Sequence, residues 1–171
     1  IVQDWTGRSE GVHITAGPVA DAHGRLLFAL SPHQEPTEES SAPTPAKARL
    51  MAWTPGAEEL LPITESSLPI HEFAVNEQGV LAARLHMPEY TEGFYISLTE
   101  LPPVDADPAA PLPYTRPSLL IPAELTKGNS PTQLLFHQIA DRENLLVLCP
   151  EARQLIEIVP EQVGKEWQGS I

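Results

Sequence analysis

Cysteine is almost absent from this chain of 171 residues. The single Cys149 ends the apolar run 145–149 and cannot form an intrachain disulfide, so we interpret it as a small buried hydrophobic residue. Apolar surroundings raise the pKa of a thiol and suppress the thiolate, which argues against a catalytic cysteine. One cysteine does not decide the cellular compartment.

Basic residues are scarce as well. Ten Lys and Arg stand against 23 Asp and Glu, a net charge of −13. Such a surface repels phosphate backbones, which argues against nucleic acid or an anionic membrane as partner and makes a basic protein surface the natural complement. The alternative is that the charge only keeps the chain soluble.

Long hydrophobic runs are missing too. No segment approaches the ~18 apolar residues of a membrane span, so the sequence predicts none. The length suits one domain over 1–171 that needs no metal or disulfide. A start at Ile1 without methionine fits removal of a signal peptide, trimming, or excision from a larger protein. The compartment stays open, with periplasm or secretion favoured over the cytoplasm.

Turns that feed short apolar strands are what the sequence does contain. The turn 76–79 ends in Gly79, which takes the positive φ of a tight reversal, and the apolar run 80–85 follows. After a second turn ending at Gly93, alternation over 94–98 predicts a half-buried strand.

Two other places repeat this unit. Gly24 closes the turn 21–24 and lies 55 residues before Gly79 (79 minus 24). A third copy starts with a predicted turn at 141–144, where Asn144 falls 65 residues after Gly79 (144 minus 79) and suits a left-handed position. In these copies we predict further strands at 26–30, 50–53, 59–63, 118–121, 145–149 and 154–159, and turns at 54–56 and 150–153.

Proline marks two long loops. Residues 31–47 and 101–117 are rich in proline and poor in large apolar side chains, so we expect the first to be mobile and the second to be a long connection. Residues 1–17 are polar and predict an irregular lead-in that ends in a short strand.

The segment 131–142 supports two structures. Ser130, Pro131 and Gln133 form a capping-box pattern that predicts a helix from 131 to about 142. A strand over 133–139 is favoured, because it completes the third copy.

Three copies of turn, strand, turn, strand predict an all-β fold of antiparallel meanders. The chain resembles the blades of irregular β-propellers of the sugar-lactonase-like kind. Three units are fewer than close a propeller, so a partial propeller or a β-sandwich is implied, with at most one short helix near 131–142. The resemblance rests on residues 21–30 with 50–63, 73–85 with 93–101, and 141–149 with 153–159.

Catalytic and metal-binding patterns are weak. The six histidines never fall at i, i+2 or i, i+4, and no nucleophile elbow or phosphate loop occurs. Asp105 and Asp107 form a D-x-D pair that suits calcium, but Ala110 stands where an EF-hand requires glycine. Calcium sites are what the propeller resemblance implies, yet no motif places one on this chain. We therefore predict no cofactor and no catalytic residue.

Binding to a protein remains as the main hypothesis. Tyr90 and Tyr95 lie near the turn before Gly93, and aromatic residues are enriched in interface cores. Acidic residues from two loops would steer a basic partner to them. The predicted binding residues are Glu35, Glu38, Glu39, Tyr90, Glu92 and Tyr95.

Three functions are compatible with these sequence patterns. The first is a non-catalytic binding module, for example a secreted or periplasmic bacterial inhibitor or immunity-type protein that engages a basic surface. The second is a fragment of a metal-dependent propeller hydrolase or lactonase. The third is a structural piece of a larger propeller, which predicts self-association through exposed strand edges.

Overall fold

The computed structural model describes residues 12–32, 47–85, 93–106, 111–127, 133–139, 141–164 and 166–171. Its regular structure is β-strand apart from one short helix, which confirms the all-β prediction. The strands form three antiparallel sheets of four strands each. Among the described residues, no helix has the length and apolar character needed to cross a membrane.

Each sheet is built from strands that are consecutive in the chain. The first sheet contains β1 (Val12–Ala20), β2 (Leu26–Pro32), β3 (Ala48–Trp53) and β4 (Leu61–Ser66). The second contains β5 (Ile70–Val75), β6 (Val80–Leu85), β7 (Gly93–Glu100) and β8 (Leu119–Pro122). After the helix α1 (Ala123–Thr126), the third contains β9 (Gln133–Ile139), β10 (Arg142–Cys149), β11 (Gln154–Val163) and β12 (Glu166–Ser170).

The sheets stack one after another in chain order. Within each sheet the strands lie side by side in the order in which they occur, so every sheet is an open meander. The first strands are neighbours across the stack: β1 contacts β5, and β5 contacts β9. The second sheet therefore lies between the other two.

The two turns that were predicted to match have the same hydrogen bonds. The amides of Asp21 and Asn76 donate to the carbonyls of Arg25 and Val80, at 3.0 and 3.1 Å. The side-chain Oδ1 of each Asx residue accepts the amide of that same partner, at 2.9 and 2.6 Å. Arg25 is thus equivalent to Val80, and the chains that follow align residue by residue. This geometry confirms the first repeat.

The third unit begins differently from the prediction. A turn at 141–144 is wrong, because β10 already starts at Arg142 and pairs Asn144 with His137 of β9. Asn144 is buried and its side-chain amide donates to Glu157. Strand pairing outweighs the local preference of asparagine for a turn. The next turn is confirmed, with the amide of Arg153 donating to the carbonyl of Pro150 at 3.0 Å.

The competition between helix and strand is decided for the strand. β9 covers Gln133–Ile139 and pairs with β10 along its whole length. Its side chains alternate as in a strand: Leu134 and Phe136 point toward the core, and Leu135 points away from it. The one short helix of the described residues lies earlier, at Ala123–Thr126, so its predicted place near 131–142 was wrong.

The predicted loops and ends are partly more ordered than expected. Most of 31–47 lies outside the described residues. The described residues 111–117 are attached to the first sheet: Thr64 donates through Oγ1 to the carbonyl of Pro113 at 2.6 Å, and the amide of Thr115 donates to the carbonyl of Glu65 at 2.7 Å. Residues 12–17 of the predicted lead-in belong to the nine-residue strand β1, and residues 1–11 lie outside the described residues. The last strand, β12, was not predicted.

Two hydrophobic layers hold the stack together. Phe73, Leu81 and Leu85 of the second sheet pack against Leu27 and Leu50 of the first. On its other side, the second sheet packs against the third through a layer that includes Ala82, Ile96, Leu145, Val147 and Ile158. Cys149 belongs to this second layer, and burial raises the pKa of its thiol, which confirms that it is a buried hydrophobic residue.

Candidate functional site

Five of the predicted binding residues, Glu35, Glu38, Glu39, Tyr90 and Glu92, lie outside the described residues. Tyr95 is on β7, half-buried, and its ring packs against the layer between the first and second sheets. These residues remain predictions.

The described strands do fix where two of the connections leave the stack. The turns at Asp21 and Asn76 line one pocket, so both lie at the same end of the sheets. Strands β2 and β6 run away from that end and finish at Pro32 and Leu85. Pro32 and Leu85 therefore both lie at the opposite end of the sheets, and in the sequence they are followed by the acidic segment 33–46 and the aromatic segment 86–92, which lie outside the described residues.

The predicted metal ligands do not form a described site. Asp105 is exposed on a turn in which the amide of Ala106 donates to Pro103, and Asp107 lies outside the described residues. Within the ranges that the structure describes, no group of three or more His, Cys, Asp or Glu side chains is placed to hold a metal ion.

Polar residues at the turn end stabilise the turns themselves. Asp21 and Arg25 form a buried ion pair at 2.6 Å. Burial alone would raise the pKa of Asp21, but hydrogen bonds from the Arg25 side chain and backbone lower it below its usual value. Asn76 is also buried, and its Nδ2 donates to Glu143 of the third sheet. The pocket of about 240 Å³ between these turns is thus bordered by groups that already have partners.

Glu72 and Arg84 are a pair of charged residues whose pKa values are both shifted by burial. They are register partners on β5 and β6, on the face that the second sheet turns toward the third. Burial raises the pKa of Glu72, and attraction to Arg84 opposes the shift. Burial lowers the pKa of Arg84, whose Nε is enclosed and has no hydrogen-bond partner among the described residues. Two charged residues with shifted pKa values on neighbouring strands are a candidate for function, although structural ion pairs also show such shifts.

As pH rises, the Glu72→Gln variant should become increasingly more stable than the wild type. Because the pKa of Glu72 is raised in the folded state, its contribution to stability is present below the unfolded pKa and is lost as pH rises through the folded pKa. The difference in unfolding free energy, Glu72→Gln minus wild type, should therefore increase between about pH 4 and about pH 7. Urea unfolding at the two pH values measures it. Glu77→Gln, on an exposed turn, is the control, and an equal change in both variants would contradict the assignment.

A cleft of about 680 Å³ separates the edges of the second and third sheets. Arg116 stacks over the ring of Tyr114, with 5.6 Å between the guanidinium carbon and the ring centroid. Trp167 borders the cleft, and its indole nitrogen is buried without a partner in the described structure. The cleft is open and mostly polar, so by itself it does not point to one class of ligand.

The outer face of the first sheet carries a group of apolar side chains beside the ion pairs that Glu65 forms with Lys47 and Arg49. Phe28 pairs with Met51, Leu26 pairs with Trp53, and both pairs point away from the core. Ile14 pairs with Leu30 on the same side and is 49% exposed. These six side chains are half-buried or exposed, and none of the other described sheets covers this side of the first sheet.

The outer face of the third sheet also carries apolar side chains, beside Gln133, His137 and Glu157. Leu146 pairs with Leu135, and Leu148 pairs with Leu155, all on the side away from the second sheet. Leu135 and Leu155 are 53% and 61% exposed. Contiguous apolar surface of this kind marks an interaction site. We define the candidate functional site as these two outer faces, at opposite ends of the stack.

The sequence contained a signal for both faces that the strand predictions did not use. Residues 26–30 and 145–149 are apolar throughout and do not alternate with polar residues. A continuous apolar run is typical of a strand that is covered on both sides. Among the described sheets, the second meets that condition, whereas the first and third are packed against another sheet on one side.

Comparison of the chain with protein-family models, with curated proteins and with solved structures finds no match, so its function has to be argued from its own residues and their arrangement.

Proposed function

We propose that the chain is a non-catalytic protein-binding module whose three sheets are propeller-blade-like and whose two outer faces bind further sheets. One observation carries the proposal: apolar side chains lie on both sides of every sheet, and in the described part of the chain only the second sheet is packed on both sides against other sheets. In this respect it is a structural piece of a larger assembly, since an uncovered apolar sheet face gains free energy when it is buried.

The stacking of the sheets favours a partial propeller over a sandwich. A sandwich packs two sheets through one inner face each. Here three four-stranded meanders stack in series with their first strands adjacent, which is how blades are placed around an axis. A propeller needs roughly four to eight blades, so a stack of three has two free faces.

The acidic connections fit the same proposal as a second contact region. The segments 33–46 and 86–92, which contain the predicted binding residues, follow Pro32 and Leu85 in the sequence, and the net charge of −13 would steer a basic protein toward acidic residues. Raising the salt concentration should weaken that contact. Apolar association through the outer faces should not be weakened.

Binding of an apolar dye tests the proposed use of the outer faces. The folded chain should increase the fluorescence of bis-ANS in dilute solution, and Leu155→Lys should reduce the increase because it places a charge on an outer face. The control is Val104→Lys, which changes a side chain that is 54% exposed but lies on a turn outside both faces.

Dye binding is compared only between folded proteins, so thermal unfolding of each variant accompanies it. Equal dye binding by Leu155→Lys, Val104→Lys and the wild type would contradict the proposed function. An absence of dye binding at every protein concentration, in a chain that stays monomeric, would contradict it as well.

A further inference from the structure

We infer that the cleft between the second and third sheets binds an extended peptide segment of another protein, which adds as a strand to the open edge of β7 and carries charges of both signs. The inference goes beyond the outer faces and does not depend on them. The cleft volume of about 680 Å³ is within the roughly 300–1,000 Å³ of ligand-binding clefts. Two kinds of group specify the ligand: backbone groups at a strand edge and two charged side chains.

The backbone groups belong to the part of β7 that extends past β8. In the described structure β7 pairs with β8 from Gly93 to Ile96 and continues to Glu100. The amide of Ser118 donates to the carbonyl of Ile96 at 2.9 Å, and the amide of Leu98 donates to Oγ of Ser118 at 3.1 Å. Because alternate residues of a strand bond to the same neighbour, the Leu98 carbonyl and the Glu100 amide face this side too. No described strand pairs with them there.

This edge is open because the chain before β8 bonds to a different sheet. The amide of Glu65 on β4 donates to the carbonyl of Pro113 at 3.1 Å, and the amide of Thr115 donates to the carbonyl of Glu65 at 2.7 Å. Pro117, just before the strand, has no N–H to donate to β7. The cleft therefore lies where an added strand would continue the line of β8. Unpaired strand edges are templates for pairing with another chain.

The third sheet contributes the other wall of the cleft through its edge strand β12. Gly169 lets this strand approach the second sheet closely, since a Cβ there would lie 3.2 Å from Leu119 and 3.5 Å from Leu98. Trp167 on β12 and Tyr114 border the cleft as well, and aromatic rings are enriched in interface cores. A peptide that pairs with β7 would thus have apolar ring surface beside it.

The charged side chains that border the cleft are Arg116 and Glu100, and both are exposed. The Arg116 guanidinium lies over the ring of Tyr114 and forms no ion pair with a described carboxylate, in a chain with 23 Asp and Glu. It would pair with an acidic side chain of the ligand, and Glu100 with a basic one. Antiparallel pairing with β7, the more stable kind, places the basic side chain at the amino end of the peptide.

NMR of the isotope-labelled full chain tests the inference, with the acetylated and amidated peptide Lys-Thr-Val-Thr-Glu as the probe. The signals of the Glu100 amide and the Trp167 indole N–H should shift saturably, and the amide of Gly56, on a turn of the first sheet, should not. N-methylation of the peptide backbone removes its donors and keeps its side chains, so it should abolish the shifts. Exchanging the lysine and glutamate of the peptide should weaken binding about two- to fivefold.

Glu100→Pro tests the contact with the backbone. The amide of Leu101 donates to Gly79 on the side of β6, so the amide of Glu100 faces the open edge. Proline at 100 therefore keeps the bonds between β6 and β7 and removes the donor at the edge. It should abolish the shift of the Trp167 indole signal. Glu100→Gln, which keeps the donor and removes the charge, should weaken binding only about two- to fivefold.

Arg116→Gln tests the acidic side of the ligand. It should weaken binding of the probe about two- to fivefold, because an exposed ion pair is lost. Lys127→Gln changes an exposed cation outside the cleft and should leave the affinity unchanged. Thermal unfolding of each variant establishes that it is folded.

Several results would overturn the inference. The first is the absence of a saturable shift up to about 10 mM peptide, tenfold above a millimolar dissociation constant. Equal binding of the N-methylated peptide, or equal binding by Glu100→Pro, would exclude strand addition at β7. An affinity unchanged in Arg116→Gln or with the exchanged peptide would exclude the assigned charges. Dye binding by the outer faces is unaffected by all of these outcomes, so the proposed function is tested separately.

Discussion

Replacing Phe73 by alanine is expected to lower the free energy of unfolding by about 3–5 kcal/mol, a large part of the roughly 5–15 kcal/mol that stabilises a typical domain. Phe73 is 2% exposed on β5, in the layer between the first and second sheets. The end of its ring lies 3.4 Å from the position that a Cβ on Gly17 of β1 would take, so the ring fills the space between the two sheets.

Chemical denaturation measures this loss, with Phe94→Ala as the matched control. Phe94 on β7 is also a phenylalanine, but it is only partly buried and packs against the hydrophobic layer between the second and third sheets. Its truncation removes less buried surface and should cost about 1–2 kcal/mol. If both variants unfolded at the same denaturant concentration, the first two sheets would not depend on Phe73 for their packing.

Local chemistry made the repeated hairpins predictable. A glycine at the end of each turn and an Asx residue at its start specify the reversal within a few residues, independently of the rest of the chain. The bounds of β6 were predicted residue for residue, and the strand over 133–139 was chosen correctly because the repeat required it. Where the turn residues are close in sequence to the strands they join, the sequence is sufficient to predict the hairpin.

The errors occurred where partners distant in sequence decide the structure. Asn144 has the local preference of a turn residue but pairs with His137, and its amide reaches Glu157 in the next strand. β12 has almost no hydrophobic alternation and exists because it pairs with β11. The strand β1 contains Gly17 and Pro18, and its antiparallel pairing with β2 has two register shifts. The positions of these strands are determined by pairing with neighbouring strands more than by their own residues.

The candidate site was harder to predict than the fold for the same reason. Glu72 and Arg84 are neighbours only because β5 and β6 pair in one register. The outer faces are defined by which side of a sheet remains uncovered after the three sheets have stacked, and that depends on the whole assembly. The sequence does show that the strands are apolar on both sides. It does not show which side another part of the chain will cover.

Alanine at Gly93 is expected to destabilise the chain by about 3 kcal/mol or more, because neither the backbone conformation nor the space suits a side chain. Gly93 begins β7 with φ +151°, and a Cβ there would lie 2.1 Å from the carbonyl oxygen of Ile121. That oxygen belongs to β8, the edge strand that Gly93 pairs with through Pro122. The contact is with backbone, so it can be relieved only by moving a strand.

The movement would reach the core. Ile121 is fully buried in the layer between the second and third sheets, so displacing β8 would weaken the packing of the second sheet against the third. Gly56→Ala is the control: Gly56 also has positive φ, at +92°, but its Cβ would meet nothing within 4 Å. That change should cost only about 1–2 kcal/mol of conformational strain. Urea unfolding and amide exchange along β7 compare the two variants, and equal losses would show that β8 is not held by its approach to Gly93.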